Sequence, residues 1–150
     1  MATRVEKQKS TASSGPAGIK PYKLQKNEEY MNDRQMAHFR EILNMWKEQL
    51  LADIGRMVDH MQKDAANYPD PIDRASQEEE FSLELRTRDR ERKLIRRIEE
   101  ALDRIDNGEY GYCVDCGAEI GVKRLEARPI ATQCIECKTV AEIREQHTGE

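Results

Sequence analysis

From Phe39 onward the apolar residues recur at steps of three and four: Phe39, Leu43, Trp46, Leu50, Ile54, Met57 and Met61. Such steps draw one stripe along a helix and form a coiled-coil seam, whereas a strand would alternate every second residue. Asn32 precedes the stripe as an N-cap with Gln35 three positions on, the spacing of a capping box, so a helix is predicted over 32–65. The spacing returns in Phe81, Leu85, Ile95, Ile98, Leu102 and Ile105 and stops at Asn107-Gly108, which predicts a second helix over 73–106. Each helix would be about 50 Å long at roughly 1.5 Å per residue.

Between them lies "YPDPID", Tyr68 to Asp73. Folding back there lays one stripe against the other, and equal lengths joined by a short connection favour antiparallel neighbours. The alternative is a parallel dimer through either helix, but Pro69 and Pro71 would break a continuous rod. Asp70 followed by Pro71, with Asp73 two further on, is also good helix-start chemistry. The turn therefore reads either as a capped corner or as a working end.

Charge changes the picture along the second helix. Residues 70–85 hold Asp70, Asp73, Glu78, Glu79, Glu80 and Glu84 against Arg74 alone, and "RTRDRERK", residues 86–93, then turns basic. Such a run usually marks a solvated helix face laced with ion pairs. Composition agrees with an elongated molecule: 36% of the 150 residues are charged, 37% are hydrophobic and few are aromatic, too polar a mixture to fill one large core. A net charge of −4 gives no global basic footprint for nucleic acid. No apolar h-region or membrane-length apolar stretch is present, so a cytoplasmic protein is expected. "MATRVEKQKSTASSGPAGIKPY" lacks the means to bury anything by itself.

All four cysteines fall in two tight pairs, Cys113-x-x-Cys116 and Cys134-x-x-Cys137, seventeen residues apart. Two such knuckles close a tetrahedron around one Zn²⁺, and four protein ligands leave no open position, so the metal would be structural. Gly117 suits a backbone turning with positive φ around it. Two disulfides are the alternative, disfavoured in a cytosolic setting. Lys123, Arg124, Arg128 and Lys138 flank the pairs and either balance the thiolate charge or hold a phosphate-bearing ligand. "KTVAEIREQ" then predicts a short closing helix packed on the lobe through Val140 and Ile143.

The expected fold is mainly α. It comprises a flexible N-terminal arm over 1–31, an antiparallel coiled coil over 32–108 with its tip at 66–75, and a C4 zinc-finger lobe with a C-terminal helix over 109–150. An enzyme is not expected, because His38 and His60 lie on the first helix and no Ser or Cys nucleophile has an evident base. A zinc ribbon that grips DNA directly is the rival reading.

"NYPDPIDRASQEEEFSLELRTRDRERKLI" and "GYCVDCGAEIGVKRLEARPIATQCIECKTVAEIRE" together resemble the DksA/TraR C4-type zinc finger family of bacterial RNA polymerase-binding transcription factors. The resemblance extends from about Tyr22 to Glu145. It implies a factor, monomeric and without specific DNA contacts of its own, that enters the polymerase secondary channel tip first. There it destabilises promoter open complexes together with guanosine tetraphosphate (ppGpp) in the stringent response. Transferred by position, it implies active-centre tip residues Asp70, Asp73 and Ala75 and a polymerase contact at Arg90. It further implies ppGpp contacts at Leu94, Arg97, Arg128 and Lys138, and zinc ligands at Cys113, Cys116, Cys134 and Cys137. The chain departs from the family pattern at Arg97, where a member carries lysine; charge is kept but geometry changes.

Overall fold

The computed structural model describes residues 19–65 and 70–149. Four helices follow in order: α1 (Asp33–Ala65), α2 (Pro71–Asp106), α3 (Val122–Ala127) and α4 (Ile135–Thr148). α1 and α2 form the antiparallel hairpin, the pair of helices whose backbones pack along one another among the described residues, and α3 touches α1 through side chains. Residues 66–69, with Tyr68, Pro69 and the first part of the expected tip, lie outside the described residues, as does the arm over 1–18.

Both long helices start where the sequence predicts a cap, with differences in detail. Asn32 Oδ1 accepts from the Gln35 N–H at 2.9 Å, half of a capping box. The Gln35 side chain completes it one residue early, its Oε1 accepting from the Met31 N–H at 2.8 Å. α2 begins at Pro71, two residues before the predicted start, because Asp70 Oδ1 accepts from the N–H groups of Ile72 at 3.1 Å and Asp73 at 2.9 Å. Its C-terminus closes as a Schellman motif: Gly108, at φ +73°, donates to Ile105 O and Glu109 donates to Arg104 O.

The base of the hairpin is apolar. Phe39, Ile42, Leu43, Trp46 and Leu50 of α1 meet Ile95, Ile98, Ala101 and Ile105 of α2, all buried. Tyr110, Ile120, Val122 and Leu125 of the C-terminal lobe join this one cluster. Burying each large side chain contributes roughly 1.5–3 kcal/mol, so the lobe is cemented to the hairpin as well as stapled by its own cysteines.

Three expectations need correction. Leu85 does not join the seam, being 44% exposed; the half-buried neighbours are Phe81, Glu84, Thr87 and Arg88. The register is fixed by the buried Ile95 and Ile98, and coiled-coil steps back from them reach Glu91, Arg88 and Glu84. The closing helix does not pack on the lobe: α4 has no buried residue, and Val140 and Ile143 are each about half exposed at 47% and 49%. Within 19–31, expected to belong to the flexible arm, four side chains anchor the segment: Met31 is buried and Ile19, Tyr22 and Tyr30 rest on the core.

Candidate functional site

Three places carry chemistry: the cysteine cluster, the acidic start of α2, and a cationic cavity where α2 meets the lobe.

The cysteine cluster is built by two local turns. Gly117, at φ +75°, donates to Cys113 O at 2.9 Å while Cys113 donates to Ala118 O at 2.8 Å, folding the first pair into a tight knuckle. Cys134 caps α4 with its sulfur, 3.5 Å from the Cys137 N–H, which puts the second pair on the helix's first turn. All four Sγ atoms lie within 4.8 Å of one another, and Cys116 Sγ is 3.7 Å from Cys134 Sγ. A tetrahedron with metal to sulfur distances of about 2.3 Å has edges of about 3.8 Å, so the set fits one Zn²⁺. That distance is far beyond a sulfur–sulfur bond of about 2.05 Å, and the four thiols are free, which removes the disulfide reading.

Electrostatics point the same way. The Cys113 thiol is lowered to about 6, first by the Cys134 backbone N–H, while hydrogen bonding from Cys134, Cys116 and Cys113 pushes Cys137 up. Four neighbouring sulfurs do not all ionise unless a cation is shared among them.

The lobe that carries the cluster is held from the N-terminal side. Tyr30 Oη donates to Gly111 O at 2.6 Å and accepts from the Gly121 N–H at 2.9 Å. Gly111 sits at φ +90° against the Met31 side chain, which a Cβ there would meet at 2.8 Å. The buried Tyr110 hydroxyl donates to Pro129 O at 2.6 Å. Burial of that hydroxyl pushes its pKa far up.

At the other end of the hairpin, Asp70 is committed to capping α2. Asp73 stands one turn on, exposed, and its carboxylate makes no hydrogen bond or ion pair among the described residues. Ile72 beside it is 78% exposed, and Ala75 is exposed as well. Arg90 lies exposed midway along α2.

The cavity at the hairpin base measures about 460 Å³ and brings together residues distant in sequence: Arg97 and Arg104 of α2, Arg124 and Arg128 around α3, and Lys138 of α4. Arg97 and Arg128 are exposed, and Lys138 Nζ lies 3.7 Å from Glu142 Oε1, a loose surface pair. Arg124 Nε donates to Gln133 O and the Arg104 guanidinium to Tyr112 O, so these two also brace the wall. Leu94 is not among the lining residues; it packs on the hairpin core. Arg104 escaped the sequence reading, although its position seven residues after Arg97 puts it on the same helix face.

Residues 35–105 match the family model described as the DnaK suppressor protein DksA, N-terminal domain, and residues 108–142 match the prokaryotic dksA/traR C4-type zinc finger. The chain belongs to the DksA family. With the zinc-finger match, the four clustered cysteines support one structural zinc. Family relatives include the RNA polymerase-binding transcription factor DksA of Haemophilus influenzae, 61% identical over 133 residues, covering 89% of this chain and 92% of that protein. The factor of the same name from Escherichia coli strain K12 is 61% identical over 130 residues, covering 87% of this chain and 86% of its own. Among solved structures, transcription factor DksA2 from Pseudomonas aeruginosa superposes with a TM-score of 0.75 at 39% identity, over 79% of this chain and 91% of that one. The DksA relatives are named as transcription factors rather than enzymes. No described helix is long and apolar enough to cross a membrane.

Proposed function

We propose that this chain is a transcription regulator that binds bacterial RNA polymerase, and that the hairpin is its probe. The observation that carries the reading is the exposed, unpartnered Asp73 at the far end of a narrow two-helix shaft, opposite a base anchored to the lobe. Relatives more than half identical over most of their length are named for polymerase binding, which supports the partner. A two-helix rod about 10–20 Å across and about 50 Å long suits insertion into a channel rather than a flat contact.

The hairpin end would enter the secondary channel, with Asp73 offering its carboxylate to the active centre and Ala75 leaving room beside it. Arg90 would contact the channel wall. Asp70 acts through the helix start, holding Asp73 in place by its two capping bonds. Cys113, Cys116, Cys134 and Cys137 would ligate the zinc, which supplies a rigid lobe and no reaction. The cationic cavity would take ppGpp at the boundary with polymerase: Arg97 and Arg128 offer planar forks to phosphate oxygens and Lys138 a mobile charge. Leu94 packs on the hairpin core outside the cavity lining, so it would make no contact with the phosphates. The outcome of docking is a shorter-lived promoter open complex, deepened by ppGpp in the stringent response.

The test is a pull-down with purified RNA polymerase followed by open-complex lifetime at a sensitive promoter, with and without ppGpp. Binding together with a shortened lifetime is expected. Salt-sensitive binding to promoter DNA without polymerase, and no effect on the lifetime, would instead favour a DNA-gripping zinc ribbon.

A further inference from the structure

The fully buried part of the hairpin seam ends at Leu50 and Ile95, with Ile54 and Leu94 half-buried against the same cluster. On the base side the seam is buried and apolar. Beyond it, no residue of 51–64 or 71–94 is buried. The seam positions of α2 there, counting back from Ile95, are Glu91, Arg88 and Glu84 before Phe81 is reached.

These three side chains are shielded but poorly satisfied. Glu91 Oε2, Arg88 Nε and Glu84 Oε2 are screened from solvent and have no hydrogen-bond partner. No ion pair joins Arg88 to either glutamate among the described residues; Glu84 instead reaches His60 of α1 at 3.1 Å. Burial first, and then the like charge of Asp53 on α1, raises the Glu91 pKa, while Asp53 itself pairs with Arg56. Shielded polar atoms without partners disfavour the closed state, because in the open state water would satisfy them. Meanwhile Leu83 and Leu85, which could have filled the seam, are 58% and 44% exposed.

α1 adds a second weakness at the same level. Gly55 sits mid-helix with nothing within 4 Å of where a Cβ would stand, so no packing contact requires glycine there. Glycine in a helix interior favours the unfolded chain.

We infer that the hairpin consists of two units in series: a base that opens only with the whole molecule, and a distal shaft, 51–65 with 71–94, that unzips and rezips on its own. The break is the polar seam of Glu84, Arg88 and Glu91 on α2, supported by Gly55 on α1. A shaft of this kind alters its width and the aim of its end without disturbing the lobe. This two-unit hairpin stands whether or not polymerase is the partner.

Hydrogen–deuterium exchange of the full-length, zinc-loaded protein tests it. Protection should fall at least tenfold in a step, between Leu50 and Asp53 on α1 and between Ile95 and Glu91 on α2. Equal protection, or a smooth decline toward the hairpin end such as ordinary fraying gives, would overturn the proposal. Replacing the break with leucine, Glu84→Leu with Arg88→Leu and Glu91→Leu, should raise distal protection at least tenfold and leave the base unchanged. If that variant loses protection in the base as well, it has misfolded, and Gly55→Ala decides: distal protection should rise about fivefold. Either variant, folded but with unaltered distal protection, defeats the inference.

Discussion

His38 Nε2 lies 2.6 Å from Glu126 Oε1, joining the second turn of α1 to α3 across 88 residues of sequence. The same carboxylate oxygen accepts from the Tyr22 N–H at 2.8 Å, and the Tyr22 ring packs on His38 with centroids 5.2 Å apart. One acid thus ties together the N-terminal segment, the hairpin and the zinc-finger lobe.

Glu126→Ala should therefore destabilise the fold by roughly 1.5–3 kcal/mol, the range for hydrogen bonds to a charged group. Both side chains of the pair are mostly shielded from solvent, so screening does not remove the effect. Urea unfolding measures it, and a double-mutant cycle with His38→Ala should show coupling of at least about 0.5 kcal/mol. Strict additivity would mean that the contact carries no energy.

Two carboxylates should respond to acid in opposite senses. Glu28 accepts from Asn32 Nδ2, from the Tyr22 hydroxyl and from the Gln25 N–H, which together hold its pKa at about 2. A depressed carboxyl stabilises the fold above its ordinary range, and that support is lost as pH falls from there toward about 2. Glu91, raised by burial and by Asp53, costs stability while ionised, so protonation as pH falls through its folded value relieves the distal shaft. Carboxyl titration by NMR should show Glu28 ionised well after other glutamates have protonated and Glu91 protonating before them. A titration in the ordinary range for either would remove the corresponding effect.

Metal removal should act on one end of the molecule. Cys116→Ser leaves three thiols and should release the lobe around 111–134, while the apolar contacts of Phe39 and Leu43 with Ile98 keep the hairpin base. Metal analysis should give one zinc per wild-type chain, and circular dichroism of the variant should keep most of the helical signal. A wild-type protein free of metal yet fully folded would contradict the assignment.

At the start of α2 the two aspartates should separate cleanly. Asp70→Ala removes a side chain that caps two N–H groups and should cost about 0.5–2 kcal/mol of local helix stability. Asp73→Asn keeps size and leaves the cap intact, so stability and polymerase affinity should be nearly unchanged. Shortening of the open-complex lifetime should fall sharply. If Asp73→Asn shortens the lifetime as wild type does, the carboxylate is only a helix-start charge.

In the basal cavity, Lys138→Ala should blunt the response to ppGpp while leaving ppGpp-independent inhibition intact, since the pair with Glu142 that it breaks is loose and exposed. Arg97→Lys keeps the charge and loses the fork, so potency should change only modestly. The measurement is inhibition of a sensitive promoter against ppGpp concentration. An unchanged dose response for Lys138→Ala would leave the cavity cations with no role beyond balancing the thiolate charge.

The sequence by itself determined the two long helices, their antiparallel pairing and the cysteine cluster. Each depends on local spacing: apolar steps of three and four, prolines that stop a rod, and cysteine pairs that close a tetrahedron wherever the lobe sits. Family membership was legible for the same reason, in two long contiguous segments. Tertiary structure decided the rest. Tyr22, Tyr30, His38 and Glu126 carry no joint signature, being tied only by contacts 81 to 104 residues apart. Arg104 joined the cavity through the packing of α2 beside the lobe, and Val140 and Ile143 stayed half exposed because no other helix packs closely on α4 among the described residues. The seam shows the limit most directly. Apolar spacing alone assigns Leu85 to it, but once Ile95 and Ile98 are locked into the base core the helical repeat carries Glu91, Arg88 and Glu84 inward, because a rigid helix has one register and the best-packed end sets it.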